Sequence, residues 1–137
     1  MSPRHALFVL LLVTAACAGG HASPEAAATP STSGTVIKGS EIGGNLLESL
    51  RGRVGAMTIS YPPNACPAIT FRGARSIRNQ ANPDVYVDGT RMLDTCILQQ
   101  ISSNDIDFIE VYPSGNTPRS GYQRNPFGLI LIFRVKQ

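Results

Sequence analysis

Histidine is almost missing from this chain: its only two, His5 and His21, both fall in the first 34 of 137 residues. A body without histidine lacks the usual general base and the commonest neutral metal ligand, so neither hydrolytic chemistry nor a four-ligand zinc site is expected there. A charge surplus is missing as well. There are 12 Lys+Arg against 9 Asp+Glu, and Arg4 belongs to a leading segment, so the rest carries an excess of only two. That is no nucleic-acid signature; Arg72, Arg75 and Arg78 recur every third residue, but beyond Phe71 no aromatic residues interleave with them. Cysteine is scarce, at three. The length suits one small domain and falls short of two.

What is present begins with a targeting pattern. One early cation, Arg4, precedes the uncharged run Ala6-Leu-Phe-Val-Leu-Leu-Leu-Val-Thr-Ala-Ala16, which is short for a membrane span and suited to a signal-peptide h-region covering residues 1–16. Val13-Thr-Ala-Ala16 followed by Cys17 resembles the lipobox of bacterial lipoproteins. That resemblance implies a lipid on Cys17, with several acyl chains anchoring the protein, and Ala18 after the cysteine implies export to the outer membrane. Residues 18–34 are dominated by Gly, Ala, Ser, Pro and Thr, with Glu25 the only Asp, Glu, Lys or Arg among them. Such a composition forms a tether with a random-coil reach of ~25 Å.

Cys66 and Cys96 remain, thirty residues apart in a chain that reads as exported, and a disulfide is the expectation. Its rival is a metal pair, but zinc takes four ligands and the one histidine beyond the leader, His21, lies in the tether. The body itself, residues 35–137, reads as an α+β domain with a mixed β-sheet and short helices. Residues 35–38 are β-prone. Ile42, Leu46, Leu47 and Leu50 form a helical stripe, with the firm helix expected over 45–51, capped by Asn45 and ended at Gly52. Residues 54–61 and 68–73 alternate as strands; in the first, Met57, Ile59 and Tyr61 share a face, and in the second, Ile69 and Phe71 do. Val85-Tyr-Val-Asp-Gly89 is a strand running into a tight turn. Residues 92–101 group apolar side chains at helical spacing. Ser103 or Asn104 is expected to cap a single turn holding Asp105 and Asp107, ahead of a strand over 108–112. The unbroken apolar run Gly128-Leu-Ile-Leu-Ile-Phe-Arg-Val135 predicts a central strand covered on both faces.

Five of these pieces, in order, resemble the plug domain of TonB-dependent outer-membrane receptors. They are Leu50-Arg-Gly-Arg-Val54; Ile69-Thr-Phe-Arg-Gly73 with Arg75-Ser76; Val85-Tyr-Val-Asp-Gly89; Ile101-Ser-Ser-Asn-Asp-Ile-Asp-Phe-Ile-Glu-Val111; and Gly121-Tyr with Gly128-Leu-Ile-Leu-Ile132. The resemblance covers residues 35–135 and implies a plug-like fold. In it the strand before Asp88-Gly89 and the Ile-Glu-Val strand pair, with Cys66 and Cys96 fastening a loop to the connection between them. Plug arginines near the Arg-Gly motif face acidic groups on a barrel wall, so the resemblance nominates Arg72, with Arg75, Arg78 and Asp88, as binding residues; Arg119 and Arg124 belong to the same test surface. A receptor adds a barrel of about 22 strands, whereas this sequence stops where that would begin and shows no TonB box. Energised transport by this chain alone is therefore not expected.

The expected role is a non-catalytic, lipid-anchored binding or accessory module at the periplasmic face of the outer membrane. Its partner would be a receptor barrel or another envelope protein, with no cofactor. A receptor remnant without independent function and a small-ligand binder are the alternatives. For an enzyme, Asp105 and Asp107 are the available carboxylate pair, which helix-start capping explains more simply; Asp84, Asp88 and Asp94 do not have the spacing of an EF-hand loop.

Overall fold

The computed structural model describes residues 34–55, 57–73 and 82–136. The leader, Cys17, the tether up to residue 33, Arg75 and Arg78 lie outside them. Seven strands and two helices follow in the order β1 (Thr35–Lys38), α1 (Leu46–Arg53), β2 (Met57–Ser60), β3 (Ala68–Phe71), β4 (Asp84–Val87), β5 (Thr90–Arg91), α2 (Ile97–Gln100), β6 (Ile106–Tyr112) and β7 (Leu129–Arg134). Five strands form one sheet in the order β1-β6-β7-β4-β5, while β2 and β3 make a separate hairpin. Mixed sheet and short helices together give the α+β class that the sequence predicts.

The long apolar run takes the position its composition requires. β7 is the central strand, antiparallel to β6 and parallel to β4, and Leu129 to Ile132 are each at most 1% exposed. Two strands that look like partners in sequence are therefore not neighbours: β4 and β6 flank β7 instead of pairing. Period-two alternation divides the sheet's residues between two faces. On one, Val85, Val87, Ile109, Val111, Ile130 and Ile132 join Leu46, Leu47 and Leu50 of α1, Met57, Ile69 and Phe71 of the hairpin and Leu98 of α2 in one aliphatic cluster. On the other, Tyr86, Tyr112, Leu129 and Leu131 cluster with half-buried Tyr122 and Phe133.

Several boundaries move for local reasons. Asn45 caps α1 as its sequence suggests, its side chain accepting from Leu47 N at 2.9 Å. The helix nevertheless passes through Gly52 to Arg53, and Val54 N–H closes its last turn onto Leu50 O at 2.8 Å. In β2, Met57 is buried and Ile59 half-buried, but Tyr61 lies beyond the strand and is 53% exposed. The helix expected over 92–101 shrinks to Ile97–Gln100. Met92 N–H bonds Val85 O across the β4–β5 pair, and the buried Thr95 hydroxyl donates to Pro67 O at 2.5 Å. Cys96 is joined to Cys66 by a disulfide, so residues 92–96 are held by the sheet and by the loop before β3, and helix begins only beyond them. The cap of the next turn is Ser102, accepting from Asn104 N; Asp105 sits in that turn while Asp107 belongs to β6.

Candidate functional site

At one end of the sheet the turn between β4 and β5 meets the end of β7. Asp88 and Gly89 both adopt positive φ, 49° and 84°, the backbone that a two-residue type I′ hairpin demands and that Asp-Gly tolerates. Asp88 N–H continues the parallel ladder to Ile132 O at 2.9 Å. Its carboxylate then accepts from Arg134 N at 2.9 Å and from Arg134 Nε at 2.6 Å. These bonds, the backbone one first, hold the Asp88 carboxyl below the usual aspartate range. Its motif residue is thus a clasp between two strands of the same chain.

A second ion pair lies on the aromatic face. Glu110, on β6, is 6% exposed, and burying a carboxylate requires compensation. Arg119 supplies it with two parallel bonds, Nε to Oε2 and Nη2 to Oε1, each 2.6 Å, and Tyr112 OH donates to Oε2 at 3.0 Å. Arg119 therefore drives the Glu110 carboxyl below its ordinary range despite burial, while burial is the main cause raising the Tyr112 phenol. The same guanidinium rests over stacked Phe108 and Phe133, 4.7 Å from the Phe133 ring centre and 5.7 Å from that of Phe108; the two rings are 4.5 Å apart at 18°. Arg119 rides on residues 113–128, which cross this face without regular structure. Tyr122 meets Tyr86 edge-to-face at 5.0 Å, and Asn125 N–H reaches Gly115 O at 3.4 Å. Gly115, at φ 69°, has no room for a side chain because a Cβ would strike the Asn125 carbonyl.

Between clasp and ion pair opens a cleft of about 1100 Å³, floored by Phe108 and Phe133 and bordered by Asp105, Asp107, Arg134 and Lys136. Of the nominated residues that the structure describes, Asp88 and Arg119 reach it and the others do not. Asp88 lines it, whereas exposed Arg72 sits in the turn after β3, beside Gly73. Exposed Arg124 does not line it either. Sequence reasoning missed the Glu110–Arg119 pair; a glutamate at an inward position of the Ile-Glu-Val strand was its one available signal. The Cys66 and Cys96 sulfurs lie near Asp94 but are spent on each other in the disulfide, which removes the metal-pair alternative. Asp84 pairs with Arg91 at 2.7 Å and Asp94 accepts from Cys96 N, so the three aspartates at 84, 88 and 94 each serve local partners.

This topology, with the parallel β4–β7 pair and the Asp-Gly clasp, accompanies a family match: the TonB-dependent Receptor Plug Domain matches residues 26–126. The chain belongs to that family. Three solved structures share the plug fold. The RagAB peptide importer in its closed-closed state has a TM-score of 0.61 at 20% identity, over 78% of this chain and 12% of that one. The open-open state gives 0.57 at 19%, over 77% and 12%. A structure of the RagAB peptide transporter gives 0.60 at 20%, over 76% and 12%. This plug thus spans about 12% of the length of the chains it resembles. No curated protein matches it. Receptor plugs are non-catalytic parts of outer-membrane proteins, and that places this family in the cell envelope.

Proposed function

We propose that this plug domain is a lipid-anchored binding module at the periplasmic face of the outer membrane, tethered through Cys17 and engaging an envelope protein such as a receptor barrel. The observation that carries the reading is the internal closure of the sheet. One face is covered by α1, α2 and the β2–β3 hairpin, the other by residues 113–128, and a disulfide joins hairpin loop to sheet connection. A domain with its own two cores can hold a fixed surface outside a barrel. Exposed Arg72, with Arg75 and Arg78 following in sequence, is the surface assigned to the partner. Peptide import is the activity named for the structural neighbours; only the plug's binding role is carried over here.

The test has two readouts in intact cells. Metabolic labelling with a palmitate analogue should mark the full-length chain and be lost in Cys17→Ser. Mild crosslinking should capture an outer-membrane barrel or other envelope protein, and Arg72→Glu should weaken that capture. A chain that takes no lipid and fractionates as a free periplasmic protein would overturn the anchor, and capture unchanged by Arg72→Glu would overturn the arginine assignment.

A further inference from the structure

The cleft beside Asp88 carries charges that the fold itself does not use. Asp88 is engaged by Arg134 and Glu110 by Arg119, but Asp105, Asp107 and Lys136 have no ion-pair partner among the described residues. Two free carboxylates and one free ammonium, a balance of one negative charge, thus stand beside a half-buried pair of stacked phenyl rings. The molecule already shows what such a combination holds: Arg119 lies over these rings while a carboxylate grips its guanidinium. Ring faces attract cations, and planar guanidinium suits both stacking and carboxylate pairing.

We propose that this cleft docks a basic segment of a partner protein, seating an arginine or lysine beside the Phe108–Phe133 stack with Asp105 and Asp107 as its counter-charges. The inference rests on the binding-module reading and names the partner's chemistry and the surface it meets. Location supports it. Thr35 pairs with Val111 and Lys38 with Phe108, so the tether enters β1 near the Tyr112 end of β6. The cleft lies at the other end, ~14 Å further along at about 3.4 Å per residue. The cleft is therefore clear of the point where the tether joins the domain, and its opening is left to other envelope proteins.

The test is titration of the ¹⁵N-labelled full-length chain in detergent with tetra-arginine and, separately, with tetra-glutamate, following amide shifts. Tetra-arginine should give saturable shifts concentrated at residues 105–108 and 133–136. Asp105→Asn combined with Asp107→Asn, both exposed positions, should weaken binding about fivefold, and Phe133→Leu about threefold. Lys136→Glu should strengthen it. Shifts that never saturate, equal binding of tetra-glutamate, or unchanged affinity in the double aspartate variant would each overturn the proposal. Cys17→Ser separates the two readings: normal tetra-arginine binding by an unlipidated chain leaves the cleft standing where the anchor has failed.

Discussion

The two faces of the central sheet are built by different physics. One buries aliphatic side chains under two helices and a hairpin, and its specificity is shape: Leu47, Leu50, Ile69, Ile109 and Ile130 are fully enclosed. The other buries tyrosines, leucines and a glutamate beneath residues 113–128, which have no helix or strand of their own. There, placement depends on discrete contacts: one bidentate ion pair, one edge-to-face ring pair and one glycine that admits a close backbone approach. The contrast separates what makes the domain stable from what makes one of its surfaces adjustable. A shape-packed face responds mainly to changes of volume, lost or added, while a contact-pinned face responds to pH and to single polar substitutions.

The largest expected effect is on the first face. Leu47→Ala should destabilise the domain by ~3 to 4 kcal/mol, through lost burial plus the cavity left behind, in urea unfolding. A comparable loss of ~3 to 4 kcal/mol is expected for Cys96→Ser, because opening a thirty-residue loop restores entropy to the unfolded chain. If Leu47→Ala unfolded like the parent, the aliphatic face would not be the principal core, and an unchanged Cys96→Ser would mean that the disulfide does not constrain the unfolded chain. On the second face, Arg119→Ala should cost ~2 kcal/mol, discounted for the solvent around Arg119, since it leaves Glu110 charged and buried without its partner. Glu110→Gln should cost less, because the exposed arginine recovers its water. Equal losses in the two variants would mean that burial of the carboxylate is not what sets the energetics.

The pH dependence sharpens the comparison further. Arg119 lowers the Glu110 carboxyl in the folded state, so this stabilisation is fully present above the unfolded glutamate value of about 4.3. It is lost as pH falls through the lower folded value. Arg134 lowers Asp88 in the same sense, and for that reason the comparison is parent against Arg119→Ala: the acid-induced decline should be shallower in the variant. Tyr122→Leu should have the smallest effect, ~1 kcal/mol from the lost ring pair. Its clearer signature should be faster amide exchange over residues 114–127 than in β7.

How much of this was legible in the sequence follows the same division. Alternation and apolar continuity exposed the first face and the central strand, since Val85, Ile109 and Ile130 obey the period-two rule that a packed sheet imposes. Asp-Gly announced its turn because few residues accept two successive positive φ values. The Glu110–Arg119 pair was not legible: nine residues and an irregular crossing separate its members, and no period links them. The helix over 92–101 misled because Met92 and Leu93 sit at helical spacing, while the disulfide and the Thr95–Pro67 bond fix the backbone otherwise. Sheet order failed for a related reason. A parallel pairing between β4 and β7 is a long-range event, and local pattern shows that a strand is buried without showing which strands it lies between.

That pairing also sets a sequence of events in time. β7 is the last strand of the sheet to be synthesised, yet it is the one strand that both β4 and β6 require. Until it arrives, β4 with β5 and β6 with β1 are two small ribbons with open hydrogen-bonding edges, and neither face of the sheet can close. Completion must therefore come as one late step of high sequence separation, the kind that slows folding and leaves strand edges exposed to other chains.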